Sequence, residues 1–361
     1  RIDPDWTENG VAVVSVPGAQ VNHEAVSDGD GGMIISWKDG RLGGDFNVWA
    51  QRISPQGELL WGEGSQVCNH EASQETPRLC TDGNGGAFIV WVDNRNANDS
   101  NQDIYIQRIS HNGESHWGEP GEGIPLCTVE EEQTNPRIFN SEPGSAIVIW
   151  EDRRLDGAHV DIYAMRVSGE DDMFFEWEPE DGLAVIIDEF DQFQPGICPD
   201  GNGGFKVVWH SASEDGFPEI DIRAQWFNAE GERLWGESGV VVSDAPGLQS
   251  LPVVLPNSDG HTLLIWSDFR TGGNEIRGQR LNENGESLWD EAGVIVVLGM
   301  SQNALNHIML SRGNGDLAIV WLDGRFSSNG QFPYIQICRL LHFGNRYTLL
   351  LYYSLKSYYQ K

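Results

Sequence analysis

The sequence predicts an all-β fold, a six-bladed β-propeller whose blades are four-stranded antiparallel sheets. One tryptophan marks each of six repeats along the 361 residues, and successive tryptophans stand 54, 59, 59, 57 and 55 residues apart. Periods in this range are typical of repeat folds. Each tryptophan ends an apolar run of strand length that follows a turn rich in Gly, Asn and Asp, which favours a propeller over a helical solenoid.

We assign four strands, A to D from the inside of the ring outward, to each repeat. Strand A follows a glutamine, as in residues 74–80, and strand B is the apolar run, as in residues 146–150. Such runs are expected of strands covered on both faces, so strand B is central in the blade. Strand C alternates polar and apolar residues, as in residues 103–108, and strand D starts at a second tryptophan such as Trp61.

Only five D strands accompany the six sets of strands A, B and C, and the missing copy lies at the N-terminus. Residues 6–13 match residues 235–242 and 289–296. We therefore predict that the N-terminal strand completes the last blade and closes the ring, which removes its two exposed edges. The predicted single propeller domain is 1–341, followed by a non-repeat tail, 342–361, and the blades lie near 17–68, 69–127, 128–187, 188–243, 244–297, and 298–341 with 1–16.

The chain is strongly acidic, with a formal net charge of -32 at pH 7. Nucleic acids and anionic membranes bind basic surfaces, so neither is an expected partner. No apolar run reaches about 18 residues, so we expect no membrane insertion. A large net charge keeps a protein soluble, and we expect an extracellular or cell-surface location.

The Trp-x-Asp-x-Arg motif places three side chains on one face of strand B, because strand residues alternate between faces. Buried Asp and Arg must be paired to be tolerated, so the motif predicts a structural pin in each blade. Repeated anion or glycan sites are the alternative. The predicted pins are Trp37, Asp39 and Arg41; Trp91, Asp93 and Arg95; Trp150, Asp152 and Arg154; Trp266, Asp268 and Arg270; and Trp321, Asp323 and Arg325.

A glutamine begins strand A in every repeat, near the mouth of the predicted central channel. We expect each amide to tie one blade to the next through backbone hydrogen bonds. A ring of amides around a polar ligand is the functional alternative. The candidate ligand-binding glutamines are Gln20, Gln74, Gln133, Gln192, Gln249 and Gln302.

The fourth repeat departs from the pattern. Ser211 and Ser213 replace the Asp and Arg that follow its tryptophan, Trp226 replaces the arginine of strand C, and His210 lies beside them. No nucleophile elbow, paired-His metal motif or phosphate loop accompanies these changes. We assign no catalytic residue and expect sequence drift in this repeat.

The hairpin turns raise the question of a metal. The turns that begin at Asp28, Asp82 and Asp200 contain carboxylate and amide oxygens, which Ca2+ prefers. Each turn offers too few ligands in one short stretch, so no metal ligand is assigned and no cofactor is required. Bound Ca2+ is the alternative.

Four motifs together carry a family resemblance: the turn, Trp-x-Asp-x-Arg, Asp-Ile-Tyr-x-Gln-Arg in strand C, and Asn-Gly-Glu-x-x-Trp before strand D. Over residues 1–341 they resemble the repeat propellers of secreted and surface proteins of environmental bacteria, notably Bacteroidetes-type proteins exported by the type IX secretion system. Six-bladed sialidases are a more distant analogy. Their Asp-box is not reproduced at residues 54–61, and their arginine triad is not found.

The resemblance and the repeat imply a non-enzymatic extracellular or cell-surface propeller that serves recognition or scaffolding, with a glycan or a surface protein as its partner. The alternative is a glycan-active hydrolase or lyase of the sialidase-like type. Clustered carboxylates with an arginine or tyrosine inside the channel mouth favour the enzyme. Repeated aromatic pockets between blades favour a lectin.

Overall fold

A computed structural model describes residues 10–96, 102–212, 219–256, 260–290, 293–300, 307–311, 317–323, 334–343 and 346–355. These residues form strands, turns and loops; they contain no helix and therefore no helical span of a membrane. Their strands make antiparallel sheets in which four strands pair in chain order, as in propeller blades. This confirms the all-β fold. The chain divides into two compact units, Arg1–Ile187 and Asp188–Lys361.

Unit 1 contains three sheets. The first consists of β1 (Gln20–Ser27), β2 (Met33–Asp39), β3 (Asn47–Ile53) and β4 (Ser65–Cys68). The second consists of β5 (Gln74–Thr81), β6 (Ala87–Asp93), β7 (Asp103–Ile109) and β8 (Ile124–Cys127). The third consists of β9 (Gln133–Glu142), β10 (Ser145–Asp152), β11 (Asp161–Ser168), the short β12 (Phe174–Phe175) and β13 (Leu183–Ile186). Strand β5 packs against both β1 and β9.

Unit 2 contains three further sheets. The fourth consists of β14 (Gln192–Pro199), β15 (Phe205–Ala212), β16 (Ile220–Phe227) and β17 (Val240–Ser243). The fifth consists of β18 (Gln249–Pro256), β19 (Thr262–Asp268), β20 (Asn274–Leu281) and β21 (Val294–Met300). The sixth consists of β22 (Ile308–Ser311), β23 (Leu317–Asp323), β24 (Tyr334–Phe343) and β25 (Arg346–Leu355). Strand β18 packs against β14 and β22.

The apolar strands form the core. All seven residues of β6 are buried, and Ile89 and Trp91 pack with Val48 of the first sheet in one cluster. Burying one large apolar side chain contributes about 1.5–3 kcal/mol, so the contacts between neighbouring sheets supply much of the stability of unit 1. The same apolar strand is therefore both the centre of its sheet and the surface that packs against the neighbouring sheet.

A carboxylate holds the turn between the first two strands of a sheet. Asp82 Oδ1 accepts hydrogen bonds from the backbone nitrogens of Asn84 and Gly86, both at 2.8 Å. Its Oδ2 accepts from Arg108 Nε at 3.1 Å, on β7. A Cβ at Gly86 would lie 2.2 Å from the Ile109 carbonyl oxygen, so this position requires glycine. The carboxylate oxygens of Asp82 are thus already hydrogen-bonded, and the turn motif has a structural role.

A second glutamine, on the third strand, has a structural role that the sequence analysis missed. Gln107 is fully buried, and its Nε2 donates to the Trp117 carbonyl oxygen at 2.7 Å. Its Oε1 accepts from the backbone nitrogens of Arg108 and Trp117 at 2.9 and 3.0 Å. Gln51, Gln225 and Gln279 accept the same two backbone N–H bonds, and their Nε2 donates to the carbonyl oxygen one residue after the tryptophan. In the sequence, the repeated Gln of the Asp-Ile-Tyr-x-Gln-Arg motif is the pattern that marks this structural role.

The tail contributes a strand to the sixth sheet. β25 pairs antiparallel with β24, with Phe343 opposite Arg346 at the turn and Ile335 opposite Leu355 at the far end. The sequence analysis assigned this edge to the N-terminal strand. Residues 1–9 lie outside the described part of the chain, and residues 10–19 contain no strand. Ring closure, the six-bladed count and the domain boundaries therefore stay predictions.

Candidate functional site

The Trp-x-Asp-x-Arg side chains form compact buried units. Trp91 Nε1 donates to Asp93 Oδ2 at 2.8 Å, and Arg95 Nη2 donates to the same oxygen at 2.8 Å. The Arg95 guanidinium lies 3.9 Å from the centre of the Tyr105 ring, a cation–π contact that covers its other face. Equivalent Trp–Asp and Arg–Asp bonds occur at Asp39, Asp152 and Asp268.

These contacts use the Asp oxygens of each motif and pair each carboxylate with its arginine. For Asp39, burial raises the carboxyl pKa, but hydrogen bonds from Arg41 and Trp37 outweigh it and the net pKa is lowered. The carboxylate is thus held charged and partnered inside the sheet, as a structural pin requires. Trp321 is buried, whereas the Asp323 side chain and Arg325 lie outside the described part of the chain.

The first-strand glutamines bond to the segment that precedes them. Gln133 Nε2 donates to the Glu131 carbonyl oxygen at 2.9 Å, and Gln249 Nε2 donates to the Gly247 carbonyl oxygen at 2.8 Å. Gln74 donates in the same way to the Ala72 carbonyl oxygen. Gln20 lies 3.5 Å from Asp39 Oδ1, and Gln302 lies outside the described residues.

These amides tie down loops within their own repeat. Gln74, Gln133, Gln192 and Gln249 are fully buried. The expectation of a ligand-binding ring of amides stays a prediction, and the contacts of Gln74, Gln133 and Gln249 are with backbone carbonyl oxygens.

The fourth repeat uses its glutamine differently. Trp209 Nε1 donates to Gln192 Oε1 at 2.7 Å. In the other described repeats the equivalent indole nitrogen of Trp37, Trp91, Trp150 and Trp266 donates to the Asp two residues later. Ser211 occupies that Asp position in the fourth repeat. The glutamine therefore replaces the lost carboxylate, a substitution that the sequence pattern did not reveal.

The first strands of five sheets each contain a residue in the left-handed conformation, two positions after the glutamine. Thr76 has φ = 50° and Asn135 has φ = 51°, and each is followed by proline. L-residues other than Asn, Asp and Gly rarely adopt this conformation, and a β-branched residue such as Thr76 is an outlier. The others are Asn22, Gln194 and Leu251. The pairing register shifts at this point, which is a β-bulge that redirects the following side chains.

The residue after this bulge differs between the repeats. In unit 1 it is Glu24 on β1, Arg78 on β5 and Arg137 on β9, each four positions after its glutamine. These three strands pack side by side, and all three side chains are partly exposed. In unit 2 the same position holds Gly196 and Val253. Unit 1 therefore concentrates charge at a position that unit 2 leaves uncharged.

Two carboxylates in this cluster are held by hydrogen bonds. Glu24 Oε2 accepts from the backbone nitrogen of Leu79 at 3.3 Å, which ties β1 to β5 beside Arg78. Glu151, on β10, has its Oε1 bonded to Asn135 Nδ2 at 2.7 Å. Asn135 is the left-handed residue of β9. The bulge thus positions both an arginine and the amide that holds a glutamate.

The arginines of this cluster have few partners. Arg137 Nη1 donates to the Pro136 carbonyl oxygen at 3.2 Å, and the buried Nε of Arg78 has no hydrogen-bond partner. Burial and the nearby Arg78 charge lower the pKa of Arg137, while Glu151 and Glu24 act against that shift. Arg137 therefore lies within electrostatic range of the other three side chains. We call Glu24, Arg78, Arg137 and Glu151 the inner cluster.

Unit 2 contains two buried histidines, His210 on β15 and His307 directly before β22. His210 is 2% exposed, its ring contacts Phe193 with centroids 5.0 Å apart, and neither of its ring nitrogens has a hydrogen-bond partner. His307 Nδ1 lies 3.4 Å from Ser267 Oγ. Burial lowers the pKa of each histidine to about 4. Both rings are therefore neutral at pH 7.

The described residues contain no group of three or more His, Cys, Asp and Glu side chains that could hold a metal ion. The turn aspartates bond to backbone N–H groups, as described for Asp82, and the same holds for Asp28 and Asp200. The Ca2+ alternative stays a prediction.

The inner cluster was not predicted from the sequence. It occupies a position at which the repeats differ, whereas the predicted sites were features shared by all repeats. An alignment of the repeats on their glutamines places Glu24, Arg78 and Arg137 at the same position, four residues after the glutamine. Glu151 follows the motif tryptophan Trp150, and no pattern at that position pointed to it.

No family model and no curated protein matches this sequence. Similar solved structures include a protein of unknown function from Dyadobacter fermentans, 12% identical, with a TM-score of 0.44 over 90% of this chain and 95% of that one. An α-L-arabinanase from Penicillium chrysogenum is 12% identical, with a TM-score of 0.45 over 91% and 96% of the two chains. A Hadza microbial sialidase is 12% identical, with a TM-score of 0.46 over 88% and 65%.

The expectation of a non-enzymatic recognition or scaffold propeller is corrected: similar structures with a named activity are enzymes such as arabinanase, arabinofuranosidase and sialidase. At these identities the similarities concern the fold, and they assign no residue role to this chain.

Proposed function

We propose that this protein is a glycan-active hydrolase or lyase of the sialidase-like type, with the inner cluster as its reacting centre. The observation that carries the proposal is the pair of positioned carboxylates, Glu24 and Glu151, beside Arg78 and Arg137. All four side chains are partly exposed and so accessible to a ligand.

Cleavage of a glycosidic bond requires two carboxyl groups in different roles. One donates a proton to the leaving oxygen, and the other acts on the sugar as a nucleophile or activates water. Glu24 and Glu151 are the pair in this cluster, and hydrogen bonds from Leu79 and Asn135 restrict their positions. Carboxylates whose positions are restricted by hydrogen bonds lose less conformational freedom on reaching the reacting geometry. The arginines supply positive charge where negative charge develops.

Product analysis on a panel of neutral and acidic polysaccharides tests the proposal. E24Q and E151Q each remove an ionisable group with little change in shape, and we expect turnover to fall by about 10²–10⁴-fold. E71Q changes an exposed glutamate outside the cluster and should leave turnover unchanged. Azide should restore part of the activity to an alanine variant of whichever carboxylate attacks the sugar.

Two results would contradict this proposal. One is wild-type turnover in both glutamine variants. The other is a panel in which glycans bind to the protein and none is cleaved. Thermal unfolding of each variant checks that lost turnover does not reflect lost structure.

We also propose the finer organisation predicted from the sequence: six blades, closure by the N-terminal strand, kinship with Bacteroidetes-type repeat propellers, and an extracellular or cell-surface location with a glycan as partner. The repeated motifs support these points. Removal of residues 1–16 should lower the midpoint of thermal unfolding, and an unchanged midpoint would exclude closure.

A further inference from the structure

We infer that Arg78 and Arg137 together bind one anionic group of the glycan, so that the substrate is an acidic polysaccharide carrying carboxylate or sulfate groups. This inference rests on the proposed function, since it names the substrate class of the same site. It concerns two side chains, Arg78 and Arg137, for which no ion pair with a carboxylate occurs among the described residues.

Most arginines among the described residues form an ion pair. The chain has 55 acidic and 23 basic residues, so carboxylates outnumber the cations by more than two to one. Arg41, Arg95, Arg154 and Arg270 each form an ion pair with an aspartate at 2.6–2.8 Å, and Arg108 pairs with Asp82 at 3.0 Å. Neither Arg78 nor Arg137 has such a pair among the described residues.

Their setting makes this arrangement costly for the free protein. The Nε of Arg78 is buried without an acceptor, and an unsatisfied buried donor costs about 1–3 kcal/mol, more for a charged group. The two guanidinium groups repel each other, which is one reason why the pKa of Arg137 is lowered. A bound anion would supply acceptors for both groups and remove the repulsion.

The backbone presents the two arginines in the same way. Arg78 lies opposite Val90 and Arg137 lies opposite Ile149, at the same position of neighbouring repeats. Each follows a left-handed residue and a proline, so both side chains leave equivalent bulges on strands that pack together. A planar guanidinium matches two oxygens of one anion, and two such groups can hold a carboxylate or a sulfate from two sides.

The flanking glutamates give the binding a direction. Glu24 and Glu151 repel an anion, so the acidic group of a ligand is directed to the arginines. The glycosidic bond would then lie toward the carboxylates. The overall charge of -32 opposes dense polyanions such as nucleic acids, but charges beyond about 10 Å are screened at physiological salt, so a sugar with one acidic group feels the local arginines.

Binding is tested in the E24Q background, in which turnover does not consume the ligand. The probes are oligosaccharides of equal length: one with uronic acid residues, one neutral but sulfated, and one neutral and unsulfated. Calorimetry should detect binding of an acidic probe at least about tenfold tighter than that of the neutral one. The first two probes distinguish a carboxylate from a sulfate as the bound group.

The variants are R78M and R137M, with R153M as the matched control on a partly exposed surface arginine. We expect each inner variant to weaken acidic-probe binding by about tenfold or more, and R153M to have no effect. R78K, which retains charge but not the planar fork, should be intermediate. Since the buried Nε of Arg78 has no hydrogen-bond partner among the described residues, R78M should keep or raise the midpoint of thermal unfolding, whereas a structural role would lower it.

Equal binding of acidic and neutral probes, or acidic-probe binding unchanged in R78M and R137M, would overturn the inference. Its failure is distinguishable from that of the proposed function. If neutral glycans are cleaved and cleavage depends on Glu24 and Glu151 but not on Arg78, the proposed enzyme function holds and the anion-binding inference fails. Arginine-dependent binding of acidic probes without any cleavage would leave the binding site standing alone.

Discussion

Trp209 shows how a single residue pair replaces a lost partner. Its indole nitrogen bonds to Gln192 Oε1 because Ser211 stands where the other repeats have aspartate. In the third repeat the indole of Trp150 bonds to Asp152, and the Oε1 of Gln133 has no partner. Two glutamines at equivalent positions therefore contribute differently to stability.

This difference predicts the outcome of a matched pair of substitutions. Q192M leaves a buried indole N–H without an acceptor, whereas Q133M leaves the bond between Trp150 and Asp152 intact. We expect Q192M to reduce the free energy of unfolding by about 1–2 kcal/mol more than Q133M, as measured by urea denaturation. Adding S211D to Q192M should recover part of the loss. Equal losses in the two single variants would show that the Trp209 bond contributes nothing.

Prediction from sequence succeeded where residues repeat and failed where they act singly. The Trp-x-Asp-x-Arg motif located the central strand and its buried ion pair, because alternation in a strand determines which side chains share a face. The exchange of Asp for Gln192 depends on a contact across 17 residues between two strands, which no local pattern contains. The inner cluster was missed for a related reason, since Glu24, Arg78 and Arg137 share a position but not a residue type.

At the scale of the element, the bulge of the first strand is the feature that connects fold and site. It occurs in strands of both units, with different residues in the left-handed conformation. Backbone strain of this kind costs about 1–3 kcal/mol and persists where the surrounding structure imposes it. In unit 1 the strained residues lie two positions before the residues that carry the charges.

A reciprocal exchange tests whether the bulge is imposed by the fold. Asn adopts the left-handed conformation readily, whereas Thr does not. T76N should raise the free energy of unfolding by about 0.5–1 kcal/mol, and N22T should lower it by a similar amount. Both are measured by chemical denaturation. Changes of the same sign in the two variants would show that side-chain contacts, rather than backbone strain, determine stability there.

At the scale of the whole molecule, a low pH reduces stability through two kinds of buried group, histidines and aspartates. His210 and His307 have pKa values lowered by burial to about 4, against 6.5 in the unfolded chain. Their contribution is complete above pH 6.5 and is lost as the pH falls toward 4, because the unfolded chain binds more protons in that range. Asp39 and Asp268, with lowered pKa values, lose their contribution at still lower pH.

We therefore expect the free energy of unfolding to fall by about 2–3 kcal/mol per buried histidine between pH 7 and pH 4. Urea denaturation at a series of pH values measures this slope. H210F replaces the ring by an apolar one of similar shape next to Phe193, and it should make the slope shallower. H70F, at a histidine outside these strands, is the control. A slope that H210F leaves unchanged would contradict the assignment.

The buried thiols have a practical consequence. Cys68 lies in the first sheet, Cys80 and Cys127 lie in the second and Cys198 lies in the fourth, and all four are free and buried. Burial raises the pKa of Cys127 and of Cys198 to about 12, so hardly any reactive thiolate forms in the folded sheets at neutral pH. Alkylation then has to wait for a sheet to open. The alkylation rate of each thiol therefore measures how often its own sheet opens. Comparing the rates of Cys127 and Cys198 shows which of the two units opens first, without any added label.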